Sequence, residues 1–259
     1  MKFILPRRFR DRNFLLASLA CFLGIPISVG VFGDPLEPKL LFKESLTGPR
    51  VSLPANWVGR KKVAKSLPIL VLAGHADSQG MKGSGTAGEA VDQLGADPMA
   101  LNMSDELFWN LQLIDTLVRL GRKRGLNIRS YDPEIRKIVD ENDSRTNWSV
   151  GARHFRSGGY AFEIHFDSYG EYGYGSGLIP AISLDHNTVD ESLANAFGRY
   201  PILFRGGLGA PRRGIRVLEV AKLGGVLESK LRNSKTRELT LHKLALKIIR
   251  ALENGLGNK

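Results

Sequence analysis

His75, His165, Glu106 and Glu219 are the residues of this chain whose types and settings best suit catalysis. His75 follows a continuous apolar run, residues 67–73 (LPILVLA), through Gly74. His165 stands at the end of residues 160–166 (YAFEIHF), and Glu219 near the end of residues 215–220 (IRVLEV). Each run reads as a strand, and the rim beyond strand ends is where open α/β sheets gather their sites. Two imidazoles and one carboxylate make a standard catalytic zinc set, with a fourth position left for water. Bound zinc brings the pKa of that water toward neutrality and polarises a carbonyl. A further carboxylate then has to take and return a proton, and Glu219 suits that part. Two residues compete as the carboxylate ligand. Glu106 opens a helix; Glu89 is closer to His75 in sequence but lies in a loop.

The elements that must position these groups are visible in the pattern. Leu107, Leu111, Ile114 and Leu117/Val118 recur at helical spacing after Ser104-Asp105-Glu106. Ser104 is placed to cap that helix, and two acids stand in its first turn, where the helix dipole favours them. Lys123-Arg124-Gly125 closes it. Residues 126–131 (LNIRSY) read as a second strand, so 67–131 forms a β-loop-α-β unit. On 160–166, Glu163 and His165 share one face, while Phe162, Ile164 and Phe166 share the other. Residues 178–184 (LIPAISL) read as a strand that Pro180 moves to an edge. Residues 236–253 form an amphipathic helix closed by Gly255. The alternation predicts an α/β fold, a single layered domain over 67–259 with a central, mostly parallel or mixed sheet flanked by helices. Segments 76–103 and 167–213 are expected to be substrate-shaping loops.

Four stretches, in order, resemble the zinc-dependent N-acetylmuramoyl-L-alanine amidases, the peptidoglycan amidases of type 3. Leu70-Val-Leu-Ala-Gly-His75 resembles that family's strand followed by Gly-His. Glu106-Leu-Phe-Trp-Asn110-Leu resembles its Glu-x-x-x-Asn helix start. Phe162-Glu-Ile-His165-Phe-Asp167 resembles its strand ending in Ser-Ile-His-x-Asn. Val217-Leu-Glu219-Val resembles its late strand with the catalytic glutamate. The resemblance covers roughly residues 67–253. It implies Zn2+ held by His75, Glu106 and His165, and Glu219 as general base and acid. It implies that the amide between N-acetylmuramoyl and L-alanine in peptidoglycan is cleaved by zinc-bound water. Asn110, Glu163 and Asp167 are then expected around the metal ligands. Glu163 stands where the family commonly has Ser, Asp167 where it has Asn, and Ala76-Asp77-Ser78 where it has Gly-Gly and an Asp.

Composition sets the compartment. The chain has 259 residues, a net charge of +11 and one cysteine, Cys21. A lone cysteine excludes an internal disulfide and a cysteine metal cluster. Lys2, Arg7, Arg8, Arg10 and Arg12 precede residues 14–32, which carry no charge. A basic flank before an apolar run reads as a signal peptide or, since a span takes roughly 20 residues, a retained transmembrane anchor. Residues 1–33 are therefore expected to export the chain or anchor it in the inner membrane. By the positive-inside rule, the remainder lies in the bacterial cell envelope, in the periplasm or on the outer face of the inner membrane. Residues 34–66, with Pro35, Pro38, Pro49 and Pro54, are expected to be a linker. No zinc-finger spacing, RNP-like motif or basic heptad helix points to nucleic acid. The domain is expected to act as a monomer on peptidoglycan.

Two rival readings stand beside this one. Gly83-Ser-Gly85-Thr-Ala-Gly88 matches G-x-G-x-x-G, the mark of an NAD(P)-dependent dehydrogenase when it turns directly from strand into helix. Here residues 74–82 intervene. A non-catalytic cell-wall-binding protein of the same fold is the other, though such a module has no need of Glu219.

Overall fold

The computed structural model describes residues 46–182 and 185–257. The expected signal or anchor, residues 1–33, lies outside the described residues. Among the described ones, no helix is long and apolar enough to cross a membrane.

The apolar run after Leu67 forms strand β1 (Ile69–Ala73), buried at every position. A strand without polar alternation has to be covered on both faces. Ile69, Val71 and Ala73 pack into one cluster with Phe162, Ile164 and residues of several helices, whereas Leu70 and Leu72 join a second cluster on the opposite face. A short helix, α1 (Glu89–Asp92), follows, then α2 (Asp105–Lys123), capped by Ser104 Oγ, which accepts from Leu107 N. Strand β2 (Ile128–Tyr131) pairs in parallel with β1, completing the expected β-loop-α-β unit.

After α3 (Asn147–Arg156), strand β3 (Tyr160–Asp167) pairs in parallel with β1 on its other side. Strand β4 (Gly177–Ile179), α4 (Thr188–Phe197) and α5 (Gly209–Arg212) precede β5 (Arg216–Lys222). The sheet order is β2-β1-β3-β5-β4, with β4 antiparallel at the edge. Helices α6 (Gly225–Arg232) and α7 (Ser234–Leu256) complete the fold. Leu107 and Leu113 of α2, Leu193 of α4, Leu227 of α6 and Leu241 of α7 cover one face of the sheet. Trp148 and Val150 of α3 pack on the other, with Ala210 of α5. The predicted class, a mostly parallel sheet between helices, is the observed one.

Three expectations need correction. The expected strand over 178–184 is shorter, ending at Ile179 before Pro180. Segment 167–213 is not a loop, because it carries β4, α4 and α5. Helix α7 closes at Gly257 rather than Gly255: Gly257 adopts the left-handed conformation that ends helices. Gly255 is instead inside the helix, where a Cβ would lie 2.5 Å from Val189 Cα at the start of α4.

Residues 46–66 also differ from the linker expected over 34–66; residues 34–45 lie outside the described set. Val51 N donates to Ser176 O, and Arg50 and Lys61 form bridges to Ser176 and Asn187. Trp57 is buried, donates through Nε1 to Tyr200 O at 2.6 Å, and carries the Arg199 guanidinium on its ring. These contacts hold the segment as a strap on the domain.

At the opposite end of the sheet from the histidines, Arg216 of β5 makes a two-pronged pair with Asp190 of α4. Tyr160 Oη donates to the same carboxylate at 2.9 Å. Both ions are almost wholly inaccessible. Buried ions persist when each is paired and further hydrogen-bonded, as here. The network ties β3, β5 and α4 into the frame that sets the strand ends.

Candidate metal centre

His75 and His165 arrive from adjacent parallel strands, and their rings meet edge to face, 4.8 Å between centroids. Gly74 makes this approach possible: a Cβ there would lie 2.2 Å from His165 Cε1 and 2.4 Å from Nε2. His75 itself has φ of 63°. A non-glycine residue held in the left-handed region needs outside support. Asn147, first residue of α3, donates through Nδ2 to Ala73 O at 2.6 Å, and its N–H donates to Asp77 Oδ2 at 2.7 Å. Asn110 of α2 donates to Gly74 O from the other side at 3.4 Å. Two helices thus grip the turn that aims His75.

Glu106 points into the same place from the first turn of α2. Its Oε1 lies 3.1 Å from His165 Nδ1 and 3.6 Å from His75 Nε2. Its Oε2 accepts from Thr86 N at 2.9 Å, which fixes the carboxylate plane and leaves Oε1 for the histidines. One donor atom from each of the three residues lies within 4.8 Å of the others. His165 Nε2 faces away, 3.4 Å from Glu163 Oε2.

The electrostatics favour positive charge at this point. Burial alone would lower His165, but its bonds to Glu106 and Glu163 outweigh it and raise the imidazole well above its ordinary pKa. Burial would raise Glu106, and the two neighbouring imidazoles win and hold it low. His75 is lowered, by burial first, against the pull of Glu106. A cluster of two imidazoles and an ionised carboxylate, with a second carboxylate behind, has the charge and the nitrogen and oxygen donors that suit zinc.

Glu219 lies on β5 directly across from His165 in the β3–β5 register. Its Oε2 is buried and, among the described residues, has no hydrogen-bond partner. Burial pushes the carboxyl up to about 8, with His165 acting the other way. A cavity of about 520 Å3 opens beside the triad, walled by Met81, Ile138, Trp148 and Glu163.

Other expected residues fall elsewhere. Glu89 does not compete with Glu106: its Oε2 accepts from Gly225 N at the start of α6, at 2.6 Å. In return Glu228 of α6 accepts from Ala90 N of α1 at 3.0 Å. Asp167, expected around the metal ligands, is turned into the following loop, where it accepts from Ser168 N, Tyr174 N and Gly175 N. The glycine motif at 83–88 leads only into α1, four residues long, and its Thr86 N–H is used by Glu106. It presents no helix N-terminus of the kind that holds a pyrophosphate. Asn147 and Asp77 were not singled out in the sequence. The available signal was Thr146, whose hydroxyl caps α3 and so places Asn147 at the helix start.

No family profile matches the sequence, and no curated protein matches it. Solved structures do. The chain is similar to the catalytic domain of CwlV, an N-acetylmuramoyl-L-alanine amidase from Bacillus (Paenibacillus) polymyxa var. colistinus. The identity is 16% and the TM-score 0.47, over 74% of this chain and 100% of that one. It is similar to the CwlD amidase from Clostridioides difficile, solved in complex with the GerS lipoprotein, at 16% identity and a TM-score of 0.47, over 74% and 100%. It is also similar to the amidase AmiC2 of Nostoc punctiforme at 13% identity and a TM-score of 0.43, over 73% and 97%. At such identities and scores, residue roles have to be argued from this chain's own geometry.

Proposed function

We propose that the chain is a zinc-dependent hydrolase of the bacterial cell envelope that cleaves the amide between N-acetylmuramoyl and L-alanine in peptidoglycan. The observation that carries the hydrolase reading is the convergence of His75, Glu106 and His165 on one point, with Glu219 across the strand pair and its Oε2 buried. The choice of amide rests on the four stretches that resemble the peptidoglycan amidases.

His75 Nε2, Glu106 Oε1 and His165 Nδ1 would hold the metal. When bound, zinc supplies a Lewis acid that polarises the scissile carbonyl and acidifies water. Glu219 Oε2 would take a proton from the attacking water and return it to the leaving amine. Burial pushes this carboxyl up to about 8 although the His165 and Arg205 charges act the other way, close enough to neutrality for transfer in both directions. The cavity beside the triad receives the chain that carries the amide. Its apolar walls, Met81, Ile138 and Trp148, exclude water from one flank.

The full chain is expected to carry about one zinc per molecule by elemental analysis, and to release stem peptides from peptidoglycan, detected by mass spectrometry. Zinc-free protein that also fails to take up added zinc would sink the metal reading. Zinc without peptide release would leave a zinc hydrolase of another amide.

Glu163 acts through His165. Its carboxylate receives the Nε2 proton, fixes the tautomer and so turns Nδ1 toward the metal. Glu163→Gln is expected to weaken zinc affinity about 10- to 100-fold, read by competition with a chromogenic chelator. Unchanged affinity would reduce Glu163 to a wall of the cavity.

A further inference from the structure

The basic composition finds no use in the metal centre, and one face of the domain concentrates it. Helix α7 carries Lys243, Lys247 and Arg250 at spacings that put them on one side. All three line a cavity of about 680 Å3 between α4 and α7, together with Glu191 and Asn195. The same three line a smaller hollow of about 350 Å3 with Leu46 and Thr47. Lys247 is held in place: Nζ donates to Thr47 Oγ1 at 2.8 Å and sits 4.5 Å over the Phe197 ring. Arg50 approaches from the strap, anchored through Nη1 to Asn195 O at 3.1 Å. Burial, and then the Arg50 charge, push the Lys247 amine down to about 8. The nearby carboxylates are engaged elsewhere, Glu191 by Arg199 and Glu253 by Arg124. Four cations therefore crowd together without a matching acid among the described residues. Such a surface attracts polyanions.

The geometry points to Arg50, Lys243, Lys247 and Arg250 as a docking face for anionic phospholipid headgroups. The course of the chain selects this occupant. Leu46 and Thr47, the first described residues, line the same hollow as the three α7 cations. Upstream, the uncharged run 14–32 follows five basic residues. At about 3.4 Å per residue, an extended chain from Phe32 to Leu46 reaches no more than about 50 Å. A bilayer holding that run keeps its headgroups within reach of this face. Each basic residue close to an anionic leaflet strengthens association about five-fold. The inference is independent of the amidase reading, because none of the four residues lines the cavity beside the triad.

The test is a lysine footprint of the full chain reconstituted into vesicles of phosphatidylcholine, or of an equal mixture with phosphatidylglycerol. After brief acetylation, each lysine is read by mass spectrometry. Lys243 and Lys247 are expected to be about five-fold less modified in the mixed vesicles, while Lys82, exposed beside the triad, is modified equally in both. Arg50→Glu combined with Arg250→Glu should remove most of the protection. Held by its 14–32 run, the chain is expected to float with both vesicle types, so the footprint alone reads the face. Equal modification in both vesicle types overturns it, as does flotation with neither. Protection by inorganic phosphate as strong as that by the mixed vesicles overturns it in favour of a free-anion site.

Discussion

Replacing Glu219 with glutamine is expected to lower turnover about 10²- to 10⁴-fold while zinc content stays at the wild-type level. The two side chains have the same shape, so the strand pair and the His165 partner position are undisturbed. What is lost is the capacity to hold a proton and return it. Stability gives the complementary readout. Glu219 is a buried carboxylate whose Oε2 has no partner among the described residues, and burial pushes it up to about 8. Keeping such a group ionised costs folding free energy, because its charge is taken out of water without compensation. Glu219→Gln should therefore unfold at the same or a higher temperature than wild type at pH above 8. A variant that is dead, zinc-loaded and no less stable identifies a group kept for chemistry at the expense of the fold. Full activity in the variant would instead favour a wall-binding protein that has retained the fold.

Gly74→Ala is expected to weaken zinc affinity about 100-fold, and activity should fall with it. The effect is steric. An added methyl would sit 2.2 to 2.5 Å from three atoms of the His165 ring. That ring has no free direction to move, because Glu106 holds Nδ1 and Glu163 holds Nε2. The domain should still fold, losing about 1–3 kcal/mol to overpacking, measured by denaturant titration. Wild-type zinc affinity in this variant would mean that His165 reaches the metal from another position. The same variant separates the two histidines: His75 is held through the carbonyls of Ala73 and Gly74, which the methyl does not touch.

The parts of this arrangement that local pattern dictates were legible in the sequence. Strand β1 is an uninterrupted apolar run, β3 alternates, and α2 announces itself through Ser104 and two first-turn acids. Those three elements carry His75, His165 and Glu106, so the triad could be read before the fold was known. Strand β5 and Glu219 followed from turn signals on either side. What escaped depends on partners distant in the chain. Nothing near Trp57 tells that its indole will meet the carbonyl of Tyr200, so the strap read as a linker. Asp167 is adjacent to the site in sequence, but a run of loop N–H groups claims its carboxylate. Helix α4 did leave a sign, the reciprocal Asn187–Asp190 cap. The glycine motif points the opposite way: its internal spacing fits a dinucleotide loop, but residues 74–82 part it from the strand, Glu106 takes its Thr86 N–H, and only the four-residue α1 follows.

The exchange of acids between α1 and α6 has an evolutionary consequence. Glu89 accepts from Gly225 N, the first N–H of α6, and Glu228 accepts from Ala90 N of α1 in turn. Losing either acid alone strands one backbone donor but leaves the other link between the two helices intact. The clasp is therefore redundant, and relatives are expected to tolerate the loss of one acid sooner than the loss of both. The glycine-rich segment that begins at the candidate metal centre inherits its fixed course from that pairing.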